Sequence, residues 1–382
     1  LFGTGTAFVA GVVLGSITET LEVLPGLIIL IPAAIGMRGT IFGAIGARLG
    51  TSIHAGLFEQ TAARSGVLYQ NVFVGITLTF SSTLYLAALA RLSAAAFGLR
   101  SISFLDFVTI SVVGGLLDSA IILLITVGLA RLSYGRGYDL DAVSTPVITA
   151  LADMVTIPTL FLATFLLRVE WLTTAIAVLA ILACLYATLR GALTDLPYAR
   201  RILVEMVAVV LLTPILDVLA GTVVEARLDR FVAFPGLLVL VPPFVAVAGA
   251  LGGILSSRLS SKLQLGVISP RGRPESPAVL DAAIVTAFGV VAFVLMGALG
   301  LGFSVLAGKA HPGAGAMVGG TLIAGLLATG IAIVVSYYVA IVTTRFGLDP
   351  DNHSVPIITS VMDLSGVLSF LFVLSVFGVT NG

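Results

Sequence analysis

Apolar stretches of about twenty residues alternate with short polar segments from one end of the chain to the other, the spacing of membrane crossings rather than of a globular core. They fall at 4–21, 24–46, 67–90, 106–130, 145–167, 172–189, 202–222, 233–256, 278–306, 315–343 and 355–379. As a helix, each is long enough to cross about 30 Å of hydrocarbon. Lipid gives the backbone no hydrogen-bonding partner, so a spanning segment has to satisfy itself, and long unbroken apolar runs predict helices. The reading is an all-α polytopic membrane protein of about eleven helices. The first run leads directly into an equally apolar second one, and we expect it to be a first crossing rather than a signal peptide.

The pattern also repeats. Leu21 to Gly56 aligns without gaps on Phe231 to Gly266 at an offset of 210, pairing Pro25 with Pro235, Pro32 with Pro242, Gly39 with Gly249, Gly43 with Gly253, Arg48 with Arg258 and Gly56 with Gly266. The same offset superposes Asp139, Asp141, Pro146, Thr149 and Asp153 on Asp349, Asp351, Pro356, Thr359 and Asp363. The chain therefore reads as a tandem duplication of a five-helix unit, with 1–168 as the first copy, 169–200 as a linker helix and loop, and 201–382 as the second. Five crossings would invert the second copy, and the unmatched span at 172–189 restores its orientation. Parallel copies are related by a pseudo-twofold axis along the membrane normal, so a shared pathway is expected between the halves.

Composition narrows the function. The chain is 58% hydrophobic and 10% charged, against about 25% charged in an ordinary soluble domain. Nineteen basic residues balance nineteen acidic ones, which gives no footprint for nucleic acid. The single cysteine, Cys184, excludes an internal disulfide and a cysteine metal cluster, and its apolar run suggests a buried small hydrophobe. With the N-terminus set on the cytoplasmic side, twelve Lys and Arg fall on that side and six on the other, as the positive-inside rule requires. The C-terminus is then extracytoplasmic.

Ionisable residues inside hydrocarbon are costly and mark candidate sites. Asp153 and Asp363 stand about eight residues into the fifth helix of each copy, roughly 12 Å of rise from its start. Each follows, by one helical turn on the same face, Thr149 or Thr359, and Pro146 and Pro356 release backbone carbonyls nearby. Two equivalent carboxylates facing each other across the axis would make an all-oxygen site, which suits a hard cation. Magnesium is usually held by one or two carboxylates while it keeps several waters. A soft-metal site is disfavoured, because His54, His311 and His353 lie in or near loops. The alternative for the aspartates is a buried, hydrogen-bonded carboxyl in each half. Asp139, Asp141, Asp349 and Asp351 would concentrate cations at the inner mouth, or cap their helices. Arg38 aligns with Ala248 and Asp118 with Ala328, so only the first copy holds these two, and they suggest a buried ion pair beside the route.

The segments LPGLIILIPAAIGMRGTIFGAIGARLGTSIHAG and DPDNHSVPIITSVMDLSG resemble the two hallmark segments of the MgtE magnesium transporters, and both copies carry both. The double unit, with Arg38 before Gly39, looks most like the eukaryotic solute-carrier relatives of that family. The resemblance implies that Asp153 and Asp363 bind magnesium. It also implies that positions one and two turns earlier contribute, which here are Thr149 and Thr359, then Thr145 and Val355. An asparagine often found after the second-helix glycine is replaced by Thr40 and Ala250. No segment resembles the soluble sensing domains of the bacterial members.

The expected activity is transport of Mg2+, or of a similar ion such as Mn2+ or Co2+, by a fused pseudo-dimer working as a monomer in the lipid bilayer. Passive conduction and coupling to sodium or protons both stay open. The other readings are an intramembrane aspartyl protease, in which the two carboxylates share a proton, and a degenerate scaffold that transports nothing.

Overall fold

In a computed structural model, which describes residues 2–59, 63–136, 140–346 and 350–379, every regular element is helical. In chain order these are α1 (Phe2–Ser16), α2 (Thr18–Val23), α3 (Leu27–His54), α4 (Val67–Ala96), α5 (Phe104–Arg136), α6 (Leu140–Thr164), α7 (Glu170–Ala192), α8 (Pro197–Glu225), α9 (Leu228–Ala233), α10 (Pro235–Gln264), α11 (Ser276–Leu306), α12 (Thr321–Phe346) and α13 (Pro350–Val376). A 3₁₀ turn, Phe165–Arg168, ends α6, and a π-helical segment, Gly315–Gly320, leads into α12. Ten of these helices are long and apolar enough to cross a membrane, as expected of a multi-pass membrane protein. The first predicted span, 4–21, differs, because the helix breaks at Ile17 and leaves a shorter apolar helix, Gly5–Ser16, followed by α2.

The duplication is visible in the elements. α2 and α9 have identical bounds at the offset of 210, and α3, α4, α5 and α6 recur as α10, α11, the π segment with α12, and α13. α7 has no counterpart and occupies the span that the repeat leaves unmatched. It packs on α4 and α5, where the hydroxyls of Ser81 and Thr188 share a 2.8 Å hydrogen bond and Cys184 is buried.

The helices gather into two compact units, Thr20–Thr222 and Gly3–Glu19 with Val223–Gly382. The first helix of each repeat thus packs with the other repeat. α1 lies on the unit of α10, with the Phe8 and Phe303 rings edge-to-face at 6.1 Å and Gly11 so close to the Val239 carbonyl that a Cβ would stand 2.0 Å from it. In the unit of α3, α8 receives hydrogen bonds from Arg48 Nη2 to Met206 Sδ at 3.3 Å and from the Tyr85 hydroxyl to the Leu211 carbonyl at 2.7 Å. The Ala199 amide on α8 donates to Gln70 Oε1 at 3.0 Å.

Within each unit the central helix is the one carrying the repeated prolines and glycines. α3 packs on α4, α5 and α6, and α10 on α11, α12 and α13. Buried apolar residues line both from end to end, Leu27 to Leu49 in one and Leu237 to Leu263 in the other. α3 and α10 continue helical through Pro32 and through Pro242 and Pro243, because neighbouring helices cover the backbone that a proline leaves unpaired.

Candidate functional site

The fifth helix of each repeat reaches the central helix through a glycine. A Cβ on Gly39 would lie 3.6 Å from Thr149 Cγ2, and a Cβ on Gly249 would lie 3.6 Å from Thr359 Cγ2. Those are ordinary contact distances, so each glycine lies beside the threonine with room for a methyl between them. One turn beyond each threonine stand Asp153 and Asp363, both half-buried. Thr149 is exposed within its unit, and Thr359 is half-buried and donates its hydroxyl proton to the Pro356 carbonyl at 3.0 Å. The two repeats thus build the same local motif independently: glycine against threonine, then a carboxylate one turn on.

Other residues singled out from the sequence lie partly outside the described structure. Asp139 and Asp349 fall outside the described residues, and Thr145, Asp141, Asp351 and Val355 belong to α6 or α13 with side chains that are not described. Among the described residues, no three His, Cys, Asp or Glu side chains come together as a metal cluster.

Arg38 and Asp118 do meet, as their pairing in the first copy suggested. Arg38 Nε donates to Asp118 Oδ1 at 2.8 Å, with the two side chains 1% and 0% exposed. Ser119 Oγ donates to the same oxygen at 3.0 Å. Gly115 admits the guanidinium, because a Cβ there would stand 2.2 Å from Arg38 Nη2 and 2.5 Å from Thr83 Cγ2. Arg38 Nη1, Asp118 Oδ2 and Thr156 Oγ1 are buried and make no hydrogen bond of ordinary geometry, although Thr156 interacts with Asp118.

Sequence reasoning passed over two buried carboxylates. Asp217, 1% exposed, lies in α8 just past Pro214, and its place within an apolar span was the available signal. Asp281, also 1% exposed, accepts from Arg258 Nε and Nη2 at 3.0 and 2.7 Å and pairs with Lys262 Nζ at 2.5 Å. The offset of 210 would have revealed it, since Arg48 and Asn71 occupy the equivalent positions and Arg48 Nε donates to Asn71 Oδ1 at 3.3 Å.

Comparison with known proteins agrees with the repeat. A family model described as MgtE, divalent cation transporter, matches residues 31–163 and again 241–373, two segments separated by the same 210 residues. The rat protein named solute carrier family 41 member 3 is 24% identical over 373 residues, covering 91% of this chain and 79% of its own. Its mouse counterpart is 25% identical over 371 residues, covering 89% and 73%. No solved structure matches. With both copies matched, and with ten helices among the described residues long and apolar enough to cross a bilayer, the chain belongs to the MgtE family of divalent cation transporters, in the tandem form of the solute-carrier relatives.

Proposed function

We propose that the protein carries Mg2+ across the membrane, with Asp153 and Asp363 as the carboxylates that hold the ion and Thr149 and Thr359 as neutral oxygen ligands beside them. The observation that carries this reading is the local motif built twice. An intramembrane carboxylate costs at least a few kcal/mol unless a partner or a cavity offsets it, and retaining it at both equivalent positions argues for use. The donors are hard. The Thr359 hydroxyl has its proton committed to Pro356, so its lone pairs are what it can offer a cation. One or two carboxylates with neutral oxygens and retained water suit Mg2+. Mn2+ and Co2+ accept similar donors and are the natural competitors.

On the count of basic residues, twelve to six, we place the loops that hold Arg64 and Arg136 on the cytoplasmic side; with α1 and α2 together taken as an eleventh crossing, the N-terminus is then cytoplasmic and the C-terminus on the opposite side. Mg2+ flux into proteoliposomes tests the proposal, comparing the parent with folded Asp153→Ala and Asp363→Ala variants. Abolition by either change is expected. Unchanged flux in both would make these carboxylates structural and move the site elsewhere.

A further inference from the structure

The buried ion pair is the part of the first repeat that packing alone explains least. Its guanidinium places a unit positive charge in α3, and Asp118 on α5 neutralises it. Arg38 Nη1 is left without a partner, and Asp118 Oδ2 and Thr156 Oγ1 make no hydrogen bond of ordinary geometry, although Thr156 interacts with Asp118. A half-satisfied buried pair is a poor way to hold helices together, since apolar residues of similar volume generally do as well or better. The second repeat demonstrates the apolar solution. Arg38, Asp118 and Thr156 become Ala248, Ala328 and Gly366, and the space is filled by Phe244, Phe293 and Phe370, where the first repeat has Ala34, Thr83 and Leu160.

The pair also lies at the level of the carboxylate. In the second unit a Cβ on Gly252 would touch Ile358, one on Gly249 would touch Thr359, and one on Gly366 would lie 3.9 Å from Ala248 Cβ. Positions fall on α10 as they rise on α13, so the helices run antiparallel and Asp363 stands abreast of the turn containing Ala248. Gly39 against Thr149 gives the same register in the first unit and sets Arg38 at the level of Asp153.

We infer that Arg38 is a positioning residue for transport: with Asp118 as its counter-ion, it sets the charge that a cation meets at the first repeat's carboxylate. This rests on the reading of Asp153 as a cation ligand. Removing Asp118 uncovers a net positive charge beside the ion, removing Arg38 does the reverse, and removing both leaves the neutral state native to the second repeat.

The test is the Mg2+ concentration for half-maximal flux in proteoliposomes. Asp118→Asn is expected to raise it about tenfold or more, the scale of an uncompensated charge near a divalent ion in protein. Arg38→Ala is expected to leave it at or below the parent value, and Arg38→Lys, which keeps the charge, to hold it at the parent value. Arg38→Ala combined with Asp118→Ala is expected to return it to within about threefold of the parent. A merely structural pair would lower the yield of folded protein in both single variants without moving the half-saturating concentration in opposed directions. A parent-like value in Asp118→Asn, or a double variant that keeps the shift, overturns the inference. Should Asp118→Asn not accumulate, the sign is read from Arg38→Ala, where a rise overturns it. Asp153→Ala is assayed alongside. If it abolishes flux while Asp118→Asn shows no shift, only this inference fails. If Asp153→Ala still carries ions, the reading beneath it fails, whatever Asp118→Asn does.

Discussion

The two repeats solve one packing problem with opposite chemistry. Where the first buries a guanidinium and a carboxylate between α3, α5 and α6, the second buries rings, with Phe244 5.1 Å from Phe293 and 5.0 Å from Phe370. A glycine is kept at the equivalent point of both, Gly115 and Gly325. A Cβ would stand 2.2 Å from Arg38 Nη2 in the first and 2.2 Å from Phe293 ring atoms in the second. The lesson is that the helix arrangement fixes the volume to be filled and the close approach needed, and leaves polarity free to diverge. The glycine, threonine and aspartate motif did not diverge. What stays alike under those conditions is the better guide to the shared activity, and what differs is the better guide to asymmetry.

The largest effect should fall where the repeats are alike. Asp153→Ala and Asp363→Ala should each reduce Mg2+ flux by about a hundredfold or more, the upper end of what loss of even outer-shell support costs a metal site. If one variant kept normal flux while the other lost it, the symmetry of the two motifs would be formal only, and one repeat alone would carry the ion.

Next come the substitutions that convert one interior toward the other. Phe293→Thr installs the first repeat's residue without its ion pair. It should cost about 3–5 kcal/mol in thermal unfolding in detergent, the range for emptying a buried aromatic site. Gly325→Ala drives a methyl onto the Phe293 ring and should cost about 1–3 kcal/mol. Combined with Phe293→Thr, its penalty should shrink, because the ring it strikes has gone. Strictly additive losses would mean that Gly325 is held for another reason.

Much of this architecture was legible before any coordinates. The spans, the unmatched α7 and the offset of 210 follow from hydropathy and from glycine and proline positions, because membrane crossing forces long helices and a duplication preserves register. The Arg38–Asp118 pair was legible because two charges within apolar spans and absent from the second copy can best offset their burial by pairing. The exchange of first helices was not legible. Residues 3–19 belong with 223–382 because of contacts such as Phe8 with Phe303, and nothing in an apolar helix names the unit that will cover it. The break at Ile17 was hidden for a similar reason, since hydropathy averages over a single turn. Asp281 was missed because a carboxylate near a span's start reads as a polar flank, although the Arg258 and Lys262 partners were one repeat-equivalence away.

The smallest effect concerns that same pair of positions, near the ends of the central helices. In the second repeat Asp281 Oδ1 takes both Arg258 nitrogens and Lys262 binds the other oxygen, but Arg258 is 51% exposed, so solvent weakens the attraction. In the first, Arg48 is hydrogen-bonded to the neutral Asn71 and to Met206 Sδ, with the Glu205 carboxylate acting on it without a direct bond, and Ser52 stands where Lys262 does. Asn71→Asp alone gains a charge for Arg48 but gives up the Asn71 Nδ2 bond to the Val67 carbonyl, and Asn71 is buried. Its net effect on thermal stability should stay below about 1 kcal/mol in either direction. Adding Ser52→Lys supplies the second cation and should turn the change into a gain of up to about 1 kcal/mol, of which 1 M salt should remove only part, because buried charges are screened less than surface ones. A gain indifferent to salt, or already complete with Asn71→Asp alone, would show that something other than the second repeat's charge network had been transplanted.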